Sequence, residues 1–150
     1  MERRTLIFFS GLIAVFVASC WGPDTKAECR SILQTIEDGR TQQVLGNQDL
    51  QAIEQNAQLY DQIADNLESM SMQTVDIKQH YPMLIDGYRD VADVLYERAE
   101  MSNEEGIISI REGDTEKEQE LNDLRADEMR AYGQIETAMG LISSACRSAV

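Results

Sequence analysis

Cys20 closes the run Val17-Ala18-Ser19-Cys20, and this is the sequence's clearest site for covalent chemistry. A thiolate there can take a diacylglyceryl group as a thioether, and the small residues Ala18 and Ser19 let an extended chain enter a narrow processing cleft. Two further cysteines, Cys29 and Cys146, stand near the start and the end of the remaining chain. If lipid takes Cys20, the odd count of three becomes one pair, and in an oxidising compartment a leftover pair bonds. On the chain-entropy model such a bond, closing nearly the whole domain, contributes about 4–5 kcal/mol less any strain. The alternative is two free buried thiols.

Other reactive side chains are few. His80 is the one histidine. A four-helix di-iron site needs Glu-x-x-His twice, and Ile77 stands where the first Glu would be. The sequence has no haem-attachment motif, no Gly-rich phosphate loop and no zinc spacing. A His-dependent triad has only His80 to draw on. Met70, Met72 and His80 offer soft ligands suited to copper, although methionine also fills irregular core space near helix ends. The acidic turn Glu112-Gly113-Asp114-Thr115-Glu116 lacks the length and ligand order of an EF-hand loop. It reads better as a solvated turn with helix-start acids. No catalytic residues, metal site or cofactor are therefore assigned, and the chain is not expected to be an enzyme.

The segment before Cys20 explains why that cysteine matters. Met1-Glu2-Arg3-Arg4 is followed by an apolar run from Leu6 to Val17. About a dozen residues suit a cleaved export signal better than a spanning helix of roughly 20. The expected organisation is a signal peptide over residues 1–19 with a lipobox at 17–20, a tether over 20–27, and a helical domain over 28–150. An uncleaved anchor with an incidental cysteine is the alternative. Arg3-Arg4 only weakly resembles a twin-arginine signal, and Trp21 is not the aspartate that retains some lipidated proteins in the inner membrane.

Composition limits the partners. The net charge is −14, and removing Glu2, Arg3 and Arg4, together +1, leaves −15 for the processed chain. Such a domain is repelled by phosphate backbones and anionic headgroups, which disfavours nucleic acid. Most of this charge is expected to solvate helix surfaces. Two prolines, little β-branched alternation and abundant Ala, Leu, Gln, Glu, Asp and Arg make a helical composition.

Periodicity then places the elements. Asp24 or Thr25 can cap a first helix with Cys29, Ile32, Leu33 and Ile36 on one stripe. That helix stops near Asp38 or continues to Leu45, before the break at Gly46-Asn47. The second helix, capped by Asn47 or Asp49, has a seam of Leu50, Ile53, Ala57, Tyr60, Ala64 and Leu67. The third shows Ile77, Tyr81, Leu84, Tyr88, Val91 and Leu95. Pro82 predicts a short turn over 75–80 with the main helix beginning at Pro82, rather than one kinked helix. That helix is expected to run past Met101 toward Arg111 and stop at Gly113. The fourth opens at Asp114 or Thr115 and extends on the order of 30 residues. Leu121, Leu124, Ala131, Ile135, Ala138 and Ile142 form its seam, with Met129 turning inward in place of Glu128.

The predicted fold class is all-α, an up-down-up-down four-helix bundle. A three-helix bundle with one bent helix over 24–70 is the runner-up. In the four-helix topology Cys29 and Cys146 meet at one pole, with Cys20 at the same end. The lipobox, the flanks Cys29-Arg30-Ser31-Ile32-Leu33 and Ile142-Ser143-Ser144-Ala145-Cys146, and the helical repeats between them resemble small helical lipoproteins of bacterial cell envelopes. The resemblance implies a fold and an address, and brings no activity or site residues. It leads to an envelope protein facing the periplasm or exterior, held to the membrane through Cys20, that offers helical surfaces to a protein partner. A periplasmic holdase or stress-sensing adaptor would need contiguous exposed apolar surface. Weak copper or calcium binding is the remaining alternative.

Overall fold

A computed structural model describes residues 24–44 and 49–148 of the chain. Four helices follow in order: α1 (Thr25–Arg40), α2 (Leu50–Glu68), α3 (Val75–Met101) and α4 (Thr115–Ser148). The lipobox, Cys20 and the Leu45-Gly46-Asn47 break lie outside the described residues.

Aspartates begin three of the four helices. The Asp24 carboxylate accepts from the Ala27 amide at 3.1 Å, Asp49 from Ala52 at 2.9 Å, and Asp114 from Lys117 at 3.3 Å. Each satisfies one of the amides that a helix start leaves without a partner. The start of α3 is held from α1 instead. The Glu28 carboxylate accepts from the Gln73 amide at 2.6 Å and the Thr74 amide at 3.1 Å, and the hydroxyls of Thr25 and Thr74 lie 3.1 Å apart.

These ties define one pole, and the disulfide shares it. Cys29 and Cys146 are bonded, with Cα atoms 6.0 Å apart across a sequence separation of 117. At the opposite pole the Leu50 amide donates to the Glu104 carbonyl at 3.4 Å. Backbones approach closely for α1–α2, α2–α3, α3–α4 and α1–α4, and for neither diagonal pair. This is the up-down-up-down bundle, with α1 and α2 as separate antiparallel helices rather than one bent helix. α1 ends at Arg40, between the two ends read from the sequence.

The core has two parts. Near the disulfide pole all four helices contribute, α1 through Cys29, Ile32 and Ile36. Toward the other pole only α2, α3 and α4 remain, packing Ile53, Ala57, Val91, Leu95, Ala99 and Ala131. The bundle is four helices thick at one end and three at the other, because α1 has 16 residues where α4 has 34.

Four expectations are corrected. α3 is one helix with Pro82 inside it. Pro82 and Lys78 are exposed, so the carbonyl that loses its donor faces water. Ile77 and Tyr81, before and beside the proline, are buried with Leu84, Ile85 and Tyr88 after it, and that burial carries the helix through. α3 stops at Met101, not Arg111. The Asn103 side chain accepts from the Glu105 and Ile107 amides at 3.1 and 2.9 Å, and Gly106 turns with φ 73°. That local turn outcompetes further helix. Leu33 is 53% exposed and Met129 is 70% exposed, so neither joins the core.

Candidate functional site

α1 ends at Arg40, well short of the length of α3 and α4. Around that last turn, Ile36 and Arg40 of α1 and side chains of α2, α3 and α4 form walls among the described residues. The result is a groove of about 360 Å³. Leu59, Ile63 and Ile135 supply apolar surface, and Tyr60, Tyr88 and Tyr132 bring one aromatic ring from each of three helices. The Tyr60 and Tyr88 ring centroids lie 5.9 Å apart at 31°. Tyr60 meets Tyr132 edge-on, with centroids 6.3 Å apart at 80°.

The polar groups converge at the rim. The Tyr60 and Tyr132 hydroxyls are 3.4 Å apart and share a hydrogen bond. Gln43 donates through Nε2 to the Tyr60 hydroxyl at 3.3 Å. Arg40, in the last turn of α1, and Glu136 also line the groove. Among the described residues, the ion pairs are made by Arg89 and Arg130, and Arg40 has no carboxylate at that range. The strand of chain carrying Gln43 is pinned to α2, since Asn56 accepts from the Val44 amide at 3.0 Å and donates to its carbonyl at 3.3 Å.

Burial pushes the Tyr88 phenol up to about 12; Tyr60 adds to the rise and the Arg40 charge opposes it. Burial pushes the Tyr132 phenol up as well, helped by its hydrogen bond to Tyr60. Both phenols are neutral at ordinary pH, which suits them to donating and accepting hydrogen bonds rather than to acting as nucleophiles or bases. The groove is equipped to bind: apolar walls, phenol hydroxyls, and one cation and one carboxylate at the mouth.

The residues singled out from the sequence fall elsewhere. Cys29 and Cys146 form the staple at the disulfide pole. Met72 is buried in the core and Met70 packs against it, so both thioethers are engaged in packing. His80 sits partly exposed on α3. No group of three or more His, Cys, Asp or Glu that could hold a metal ion occurs among the described residues. The acidic turn places Asp114 at the start of α4 as its cap. The spacing puts Tyr60 and Tyr88 in the seams of α2 and α3, and Tyr132 follows Ala131, a seam position of α4, but spacing alone does not join the three. Their combined signal was three aromatic residues in or beside the seams of three helices, next to a first helix too short to cover them. Comparison with protein-family models, with curated proteins and with solved structures finds no match.

Proposed function

We propose that this chain is a lipid-anchored protein of the bacterial cell envelope that works as a non-enzymatic interaction module. Acylated Cys20 holds it to the membrane, and its bundle faces the periplasm or exterior. One observation carries the reading: the Cys29–Cys146 bond ties the start of α1 to the end of α4 at the pole that follows Cys20 in the chain. Such a bond suits an oxidising compartment. Cys20 precedes Asp24 by four residues, a reach of at most about 14 Å even when extended. The disulfide pole would therefore stand against the membrane, with the groove on the bundle's flank. Among the described residues no helix is long and apolar enough to cross a membrane. The acidic surface would keep the domain from lying flat on anionic headgroups.

Intact mass of the membrane-extracted protein, with and without reductant and a thiol-alkylating reagent, tests this. The expected species is residues 20–150 plus acyl groups, with no thiol labelled until reduction. An unprocessed chain whose cysteines label without reductant overturns the anchor and the compartment together. Photocrosslinking from position 129, where Met129 projects from α4, would then identify the partner.

A further inference from the structure

We propose that the tyrosine-lined groove is a binding site for a small organic anion that combines a flat apolar body with one carboxylate. The ligand's nature is independent of how the chain is anchored.

The size fits: about 360 Å³ lies within the roughly 300–1,000 Å³ usual for small-molecule sites. The walls suit a flat apolar body, because aromatic and aliphatic side chains (Tyr60, Tyr88 and Ile135) line the groove from three different helices. The rim carries one cation, Arg40, and one carboxylate, Glu136, and the case for an anion rests on Arg40. Arg40 is the groove's cation and has no ion-pair partner among the described residues. Its guanidinium can take a carboxylate through two parallel hydrogen bonds. The Tyr60 hydroxyl already accepts from Gln43, which leaves its own proton free to point toward Tyr132 or a ligand.

Three tyrosines could instead suggest a cage for a quaternary ammonium ion. The geometry opposes that. Tyr60 and Tyr132 meet edge-on with their hydroxyls together, so they do not enclose a shared space with their faces. An unneutralised guanidinium at the mouth would repel a cation. Glu136, also at the rim, works the other way and weakens an anion's binding. Its carboxylate makes a signed prediction possible.

The test uses the full chain with its disulfide intact and two probes that share a ring: 2-naphthoate and trimethyl(2-naphthyl)ammonium. Binding is followed by ligand-observed NMR and fluorescence titration. Naphthoate should bind saturably and at least about tenfold tighter than the ammonium probe, as a charge-assisted bond to Arg40 implies. Arg40→Gln should weaken naphthoate by about tenfold or more and leave the ammonium probe no weaker. Glu136→Gln should tighten naphthoate. Both side chains are exposed, so the folded state should survive both substitutions, as a thermal melt would verify. Absence of saturable naphthoate binding, equal binding of the two probes, or indifference to both substitutions would overturn the proposal.

Discussion

The Tyr81 hydroxyl shows how one polar atom is spent in this core. It donates to the Leu67 carbonyl at 2.7 Å, at the end of α2, from a buried position on α3. The last carbonyls of a helix lack intrahelical donors, and the Met70 amide already donates to this one at 3.0 Å. Tyr81→Phe should therefore cost about 1 kcal/mol rather than a full orphaned acceptor, read as a lower urea midpoint at unchanged slope. The buried phenols also set an alkaline limit. Burial pushes Tyr81 and Tyr88 from 10.0 up to about 12. Their contribution to stability is fully present below about pH 10 and is lost as the pH rises through about 12, because the unfolded chain ionises first. Phenolate absorbance and helical ellipticity, followed together, should change in the same transition above pH 10. Titration of Tyr81 and Tyr88 near pH 10 with the helices intact would contradict this. At this scale the sequence was informative about which residues are apolar and silent about depth. Leu33 and Ile32 are adjacent aliphatic residues, and only Ile32 is buried.

At the scale of the element, α3 is the helix that resists its own sequence. An interior proline costs roughly 3 kcal/mol, yet the helix persists because Ile77, fully buried, lies before it. Pro82→Ala restores a donor at an exposed position and should stabilise the protein by about 1–3 kcal/mol, measured by denaturant unfolding. The glycines of α3 and α4 have opposite roles. A Cβ on Gly87 would stand 2.8 Å from Ile135 Cγ1 and 3.2 Å from the Ile135 amide nitrogen, so α3 and α4 meet there almost backbone to backbone. At Gly133 and Gly140 nothing lies within 4 Å. Gly87→Ala should destabilise by about 1–3 kcal/mol despite its better helix propensity. Gly133→Ala should stabilise by about 0.5–1 kcal/mol in the same assay. Gly39 on α1 resembles Gly87, since an added Cβ would fall within the Ile63 side chain. The lapse in the apolar stripe at Gly39 is thus a point of close approach between α1 and α2.

For the whole molecule, the disulfide compensates for the shortness of α1. That helix buries only Cys29, Ile32, Ile36 and Gly39, whereas α3 buries eleven residues from Ile77 to Ala99. Replacing both cysteines with alanine should lower stability by about 4–5 kcal/mol on the chain-entropy model, a large part of the 5–15 kcal/mol typical of a domain. Denaturant unfolding of the paired variant against the oxidised parent measures it. The same loosening reaches the groove, because α1 and the chain just after it supply Arg40 and Gln43. The staple at one pole and the binding surface on the flank are thereby linked through a single helix.

Helix number, order and antiparallel closure were legible in the sequence alone. A 3.6-residue apolar period, an aspartate before each of three helices and the parity of the cysteines are local or countable properties, and no tertiary knowledge is needed to read them. Tertiary structure decided the rest. Whether Pro82 ends a helix depends on what Ile77 and Tyr81 gain by burial on either side of it. Whether α3 passes Met101 depends on a side-chain turn at Asn103 competing with the helix. The groove depends on where α1 stops relative to three longer neighbours. Tyr60, Tyr88 and Tyr132 belong to different helices, so their distances are set by how those helices pack and not by any spacing along the chain.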